Sequence, residues 1–245
     1  MPRDSYTLST KFAVVDQETG EVISPARATQ YVDDSLRYLQ VNELDILLLA
    51  GASDGNDYSR VLDRLGPTWE QLIREGKVRH LGSSEVSSVD GGHSWLNRVL
   101  QSDLMEVVMV AYNMMNQAAE RTVFPLCRDK DVGAMGIYTV RNAFSIPGRL
   151  EEVVAELKQD GLLSEDSVPA KNPLGWLLDD EEPSLVSAAY RFSAANDAMT
   201  TIMTGTIDIA HLEANVRTIE KPPLPVEKQA RLRELFGHLA VPVGE

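Results

Sequence analysis

The stretch Leu44-Asp45-Ile46-Leu47-Leu48-Leu49-Ala50 decides the fold. It is short, almost continuously apolar and stops at Gly51, which is how a parallel strand buried on both faces reads. Upstream, Ser24-Pro25 places a good N-cap before a proline suited to a first helical turn, and Tyr31, Val32, Leu36 and Leu39 keep an apolar face to about Gln40. Before that helix, Tyr6–Phe12 is rich in β-branched and aromatic residues and predicts a strand.

Downstream the same unit recurs. A polar loop (51–56) leads into a helix over 58–75, interrupted at Gly66-Pro67, and then into a strand at Val78–Ser84. The periodicity next predicts a helix over 93–101, a strand at Glu106–Tyr112, a helix over 118–129 and a strand at Gly133–Val140. An amphipathic helix follows over 148–160, with Leu150, Val153, Val154 and Leu157 at helical spacing. After an irregular stretch (161–183) come a helix (184–195), a strand (Met199–Thr204) and a helix from about 209. Lys221-Pro-Pro-Leu-Pro225 bends the chain before a last helix at about 225–239. Six strands alternating with helices predict an α/β protein with a parallel sheet, either an open sheet or a barrel. No linker rich in Gly, Pro or Ser divides the chain, so residues 1–245 are expected to form a single domain.

Composition narrows the partners. The 245 residues hold 37 Asp and Glu against 23 Lys and Arg, a formal net charge of −14, and no basic patch is apparent, which argues against nucleic acid and anionic membrane surfaces. No apolar run approaches the ~20 residues needed to span a bilayer, and Met-Pro-Arg-Asp-Ser-Tyr lacks a signal-peptide core, so the default setting is the cytoplasm. The single cysteine, Cys127, sits in Phe-Pro-Leu-Cys-Arg and reads as a small buried apolar residue. His80, His93, His211 and His238 lack metal-site spacing, so no metal is expected, and Asp179-Asp-Glu-Glu182 reads as a solvated acidic loop. There is no Gly-x-Gly-x-x-Gly loop, no Gly-Lys-Ser/Thr loop and no Gly-x-Ser-x-Gly elbow.

Several stretches in order resemble the aldo-keto reductase superfamily. They are Ser9-Thr-Lys-Phe12, Leu44-Asp-Ile-Leu-Leu-Leu49, Glu75-Gly-Lys-Val-Arg-His-Leu-Gly-Ser-Ser84, Ala111-Tyr-Asn-Met-Met-Asn-Gln117, Phe124-Pro-Leu-Cys-Arg128 and His211-Leu-Glu-Ala-Asn215. The carboxyl half is most similar to the sugar and pyridoxal dehydrogenase-like branch. The resemblance implies a (β/α)₈ TIM-barrel fold with chemistry at the carboxyl ends of the strands. Residue 1 falls just before what resembles the family's third strand, so about six βα units are expected, as in a truncated product or a fragment. Such an opened barrel would expose two edges, and association into a homo-oligomer would bury them.

The family's catalytic tetrad is an Asp, a Tyr, a Lys and a His. Here Lys11 matches the Lys, the Asp and Tyr have no counterpart, and Ala50 occupies the His position. Among cofactor positions, Ser84 matches a contact to the nicotinamide carboxamide and Tyr138 the aromatic that stacks on the ring. Gly205 and Thr206 lie where backbone N–H groups meet phosphate, and Asn215 matches an adenine contact. Glu85 and Met109 replace the expected Asn and Gln. Asp208, where a cation would meet the 2′-phosphate of NADP, favours NAD, its carboxylate accepting from a ribose hydroxyl. The implied activity is hydride transfer between nicotinamide and a small carbonyl, alcohol or sugar-like substrate. The alternatives are an inactive relative and a non-redox lyase or isomerase using Lys11, Tyr138 and Glu85 as base, a glutamate that otherwise reads as solvated loop.

Overall fold

The computed structural model describes residues 1–16, 18–50 and 58–244, so the polar loop expected at 51–56 lies outside the described residues. A short 3₁₀ turn at Arg3–Ser5 precedes strand β1 (Ser9–Ala13). Helix α1 (Pro25–Leu39) starts where the Ser24 hydroxyl accepts from the Arg27 N–H at 3.2 Å and stops where Gln40 turns left-handed at φ 56°. β2 is Leu44–Ala50, followed by α2 (Tyr58–Arg74) and β3 (Val78–Ser84). Helix α2 runs unbroken through Pro67, contrary to the expected interruption. An interior proline costs a helix about 3 kcal/mol, but buried Val61, Leu65, Trp69 and Leu72 bind both halves to one core face, and that burial outweighs the break.

The chain continues through α3 (Ser94–Val99), β4 (Val107–Ala111), α4 (Ala119–Thr122), α5 (Phe124–Lys130) and β5 (Gly133–Ile137). The single helix expected over 118–129 is thus two, because Pro125 has no N–H to continue the ladder and instead opens a new first turn. After β5 come α6 (Asn142–Ser145), α7 (Arg149–Gln159), a 3₁₀ turn at Gly175–Leu177, α8 (Leu185–Ala194), β6 (Met199–Ile202), α9 (Ile209–Ile219) and α10 (Val226–Phe236). The acidic run is only partly solvated: Glu182 is buried against Arg191 at 2.8 Å, and Arg191 also donates to the Pro222 and Pro223 carbonyls.

The six strands form one parallel sheet in sequential order, β1 to β6, with β1 and β6 at its two edges; the sheet is not closed. Side chains alternate between two layers. Leu47, Leu49, Leu81, Val108 and Val110 face the helices and join Val32, Trp69, Phe124 and Phe192 in the main core. The opposite face holds a smaller cluster of Leu48, Met109 and Met135, flanked by Ile46, Val107 and Ile137. Cys127 is buried in the main core, which pushes its thiol up to about 11. No helix among the described residues is long and apolar enough to cross a membrane.

Candidate active site

A cleft of about 850 Å³ opens over the inner face of the sheet and runs to the carboxyl ends of β5 and β6. Lys11, Tyr138, Gly205 and Asn215 all line it, although they are far apart in sequence. Lys11 arrives by strand alternation: Phe12 turns to the helix layer and stacks on Tyr31 at 5.5 Å, so Lys11 points the other way and stays exposed. Met109 and Ile137 supply apolar floor from the same face of β4 and β5.

Tyr138 ends β5 rather than continuing it, which is why the strand stops short of the expected Val140. Its φ of 56° is left-handed, uncommon for a tyrosine, and the Asn113 amide holds the turn by donating to the Tyr138 carbonyl at 2.8 Å. Asn113 is itself pinned, its Oδ1 accepting from the Met115 and Asn116 N–H groups. The Arg141 guanidinium lies 4.1 Å from the Tyr138 ring centroid and reaches the Ser87 hydroxyl at 3.3 Å, while Tyr138 as a whole stays 47% exposed and lines the cleft.

At the other end, Gly205 has open space where a Cβ would stand, and Asn215 donates to Thr204 Oγ1 at 2.8 Å, holding α9 against the end of β6. Asp208 behaves differently from expectation. Its carboxylate accepts from the His211 N–H at 3.0 Å and caps α9, and that backbone bond holds its pKa below the ordinary range. The amide that would greet a phosphate at this helix start is therefore already engaged by the chain's own anion.

Two residues lie apart from the cleft. Ser84 sits on the inner face between Ala50 and Met109 in register, is 1% exposed and does not line the opening. Glu85 is neither solvated nor aimed into the cleft. It is buried, one carboxylate oxygen accepting from the Ala111 N–H at 2.6 Å and the other 2.7 Å from His93 Nδ1. The cleft also includes Thr139, Phe144 and Ser145, around the short α6, and Tyr190 on α8, none of which periodicity singled out. No group of three or more metal-ligating side chains occurs among the described residues.

A sequential parallel sheet backed by helices, with its cleft at the carboxyl ends of the strands, defines a protein of the (β/α)₈ barrel type. The sequence matches the Aldo/keto reductase family over residues 1–236, and the chain belongs to that family. It is 24% identical over 144 residues to the NADH-specific methylglyoxal reductase of Escherichia coli, covering 54% of this chain and 42% of that protein. It is 22% identical over 226 residues to the L-galactose dehydrogenase of Arabidopsis thaliana, covering 89% and 65%. The chain thus spans between about two fifths and two thirds of these relatives. The holo form of an aldo-keto reductase from Bacillus halodurans superposes with a TM-score of 0.65 at 22% identity, covering 96% of this chain and 73% of that one. An aldo/keto reductase from Klebsiella pneumoniae in complex with NADP and acetate gives 0.62 at 17%, covering 96% and 71%. These likenesses establish the fold.

Proposed function

We propose that residues 1–245 act as one unit, an oxidoreductase transferring hydride between NAD(H) and a small carbonyl or alcohol. The observation that carries this reading is the convergence of Lys11, Tyr138, Gly205 and Asn215 on one cleft. A nicotinamide, when bound, supplies or accepts the hydride. Tyr138 offers an exposed ring face, fixed by Asn113 and Arg141, on which a flat heterocycle can stack. Lys11 presents an ammonium where oxyanion charge develops on a carbonyl. Gly205 lets a phosphate approach the backbone, while the Asp208 carboxylate disfavours the 2′-phosphate of NADP, so NAD is the cofactor of choice. Ser84, as placed, is not expected to contact the carboxamide.

Calorimetric titration with NADH and with NADPH tests the reading. NADH is expected to bind in the micromolar range, tighter than NADPH, and Tyr138→Ala to weaken it about tenfold, a loss of roughly 1.4 kcal/mol of stacking. Absence of heat with either, from protein that melts cooperatively, would sink it. One observation favours a second reading, a relative without redox activity: Ala50 can neither donate nor titrate where the family places a His. Turnover of small carbonyls with NADH separates the two.

A further inference from the structure

The cleft carries a charge pattern opposite to that of the chain. The protein holds 37 Asp and Glu and a net charge of −14, yet among the described residues no carboxylate lines the cleft, and Lys11 is its formal cation. Among the described acids, Glu85 is sealed against His93 and the Ala111 N–H, and Asp208 caps α9 and is not part of the cleft lining. No ion pair of Lys11 with a carboxylate within 4.0 Å occurs among the described residues, whereas Lys77 holds two and Lys130 and Lys228 one each, and Lys158, Lys171 and Lys221 hold none.

Position adds to the argument. Lys11 stands on β1, the edge of the sheet opposite β6, while Gly205 and Asn215 stand just beyond β6. A dinucleotide whose phosphates approach Gly205 and whose ring approaches Tyr138 leaves the Lys11 end for the substrate. There Lys11 stands in register with Leu48 of β2, and its exposed ammonium is open to pairing with a small anion that enters the cleft.

We propose that the cleft selects a small organic anion, a carboxylate adjacent to the reacting ketone or alcohol, with that carboxylate paired to the Lys11 ammonium: a 2-oxo acid or its 2-hydroxy acid. This rests on the oxidoreductase reading for the reaction but not for the binding. In a 2-oxo acid the carboxylate and ketone oxygen are neighbours, so one ammonium faces both. Reduction adds a hydride from dihydronicotinamide to the ketone carbon and a proton from water to its oxygen, the carboxylate unchanged and Lys11 keeping its proton.

The test compares pyruvate with pyruvamide, equal in shape and different in charge, by saturation-transfer NMR and calorimetry on the full chain with and without NADH. Pyruvate is expected to bind at least about tenfold tighter than pyruvamide, Lys11→Met to abolish that preference, and Lys11→Arg to retain most of it. Equal binding of the two, no pyruvate binding, or a preference that survives Lys11→Met overturns the proposal. So does a Lys11→Met variant in which NADH weakens while the pyruvate preference persists, since Lys11 would then serve the cofactor's phosphates. If NADH fails to bind but the preference holds in the free protein, the anion site stands and the oxidoreductase reading falls.

Discussion

Asp45 is the one charged position in the apolar run of β2, and three groups meet on its carboxylate. The Leu8 N–H donates at 2.8 Å, Arg3 at 2.6 Å and Arg79 at 3.0 Å. The backbone bond from Leu8, then the two guanidiniums, hold its pKa below the ordinary carboxylate value in spite of burial. A folded pKa below the unfolded one means that the group stabilises the fold above the ordinary carboxylate pKa of about 3.9 and loses that contribution as pH falls through the folded value. Asp45→Asn is therefore expected to lower the urea midpoint at neutral pH and to match the parent progressively below about pH 4. Urea titrations of both proteins across that range check it, and a constant offset between them would show that Asp45 acts by packing alone. The polar residues also mark how far side-chain roles were legible. That Lys11, Tyr138, Gly205 and Asn215 meet on one cleft was reachable through the family resemblance alone, since they come from the middle of β1, the end of β5, the segment after β6 and the middle of α9. Glu85 was not, since its direction depends on His93, eight residues on and in a left-handed turn at φ 61°.

Elements were legible wherever one physical signal dominated. The strands at 44–50 and 78–84 and the start of α1 at Pro25 follow directly from apolar runs and from a capping Ser-Pro pair. Boundaries failed where two signals compete, at α2, at the split between α4 and α5, and at the end of β5. In α2 local backbone preference argues for a break at Pro67 and tertiary packing argues against it, and packing wins. The cost remains in the helix, because residue 67 has no N–H to offer and its ring crowds the carbonyl one turn earlier. Pro67→Ala is expected to stabilise the protein by about 1–2 kcal/mol, the gain of a helical bond less the entropy that proline removes from the unfolded chain. In a chain of this size that raises Tm by roughly 2–8 °C, read by calorimetry. An unchanged or lowered Tm would mean that the ring itself fills space the core needs.

At the scale of the molecule the sheet has two unpaired edges, at β1 and β6, and a long helix beside one of them that covers little. Only Thr218 of α9 is buried, whereas Ile209, Leu212 and Val216 form an exposed stripe, continued by a fully exposed Ile207. An open parallel edge flanked by an apolar helix face invites association, since parallel sheets are otherwise covered on both faces and at their margins. The expected occupant is a second copy of the chain, which brings both edges with it. The net charge of −14 works against this, and its repulsion is screened by salt while apolar burial is not. Sedimentation velocity should thus show a dimer or larger species at micromolar concentration, its population rising with protein and with salt. Leu212→Glu, placed in the middle of the stripe, should shift the mass back toward 27.0 kDa without lowering Tm, because the side chain is already 42% exposed. A parent protein that sediments as a monomer across that range of concentration and salt removes the idea. Association that Leu212→Glu leaves untouched moves the contact from α9 to the edge of β1.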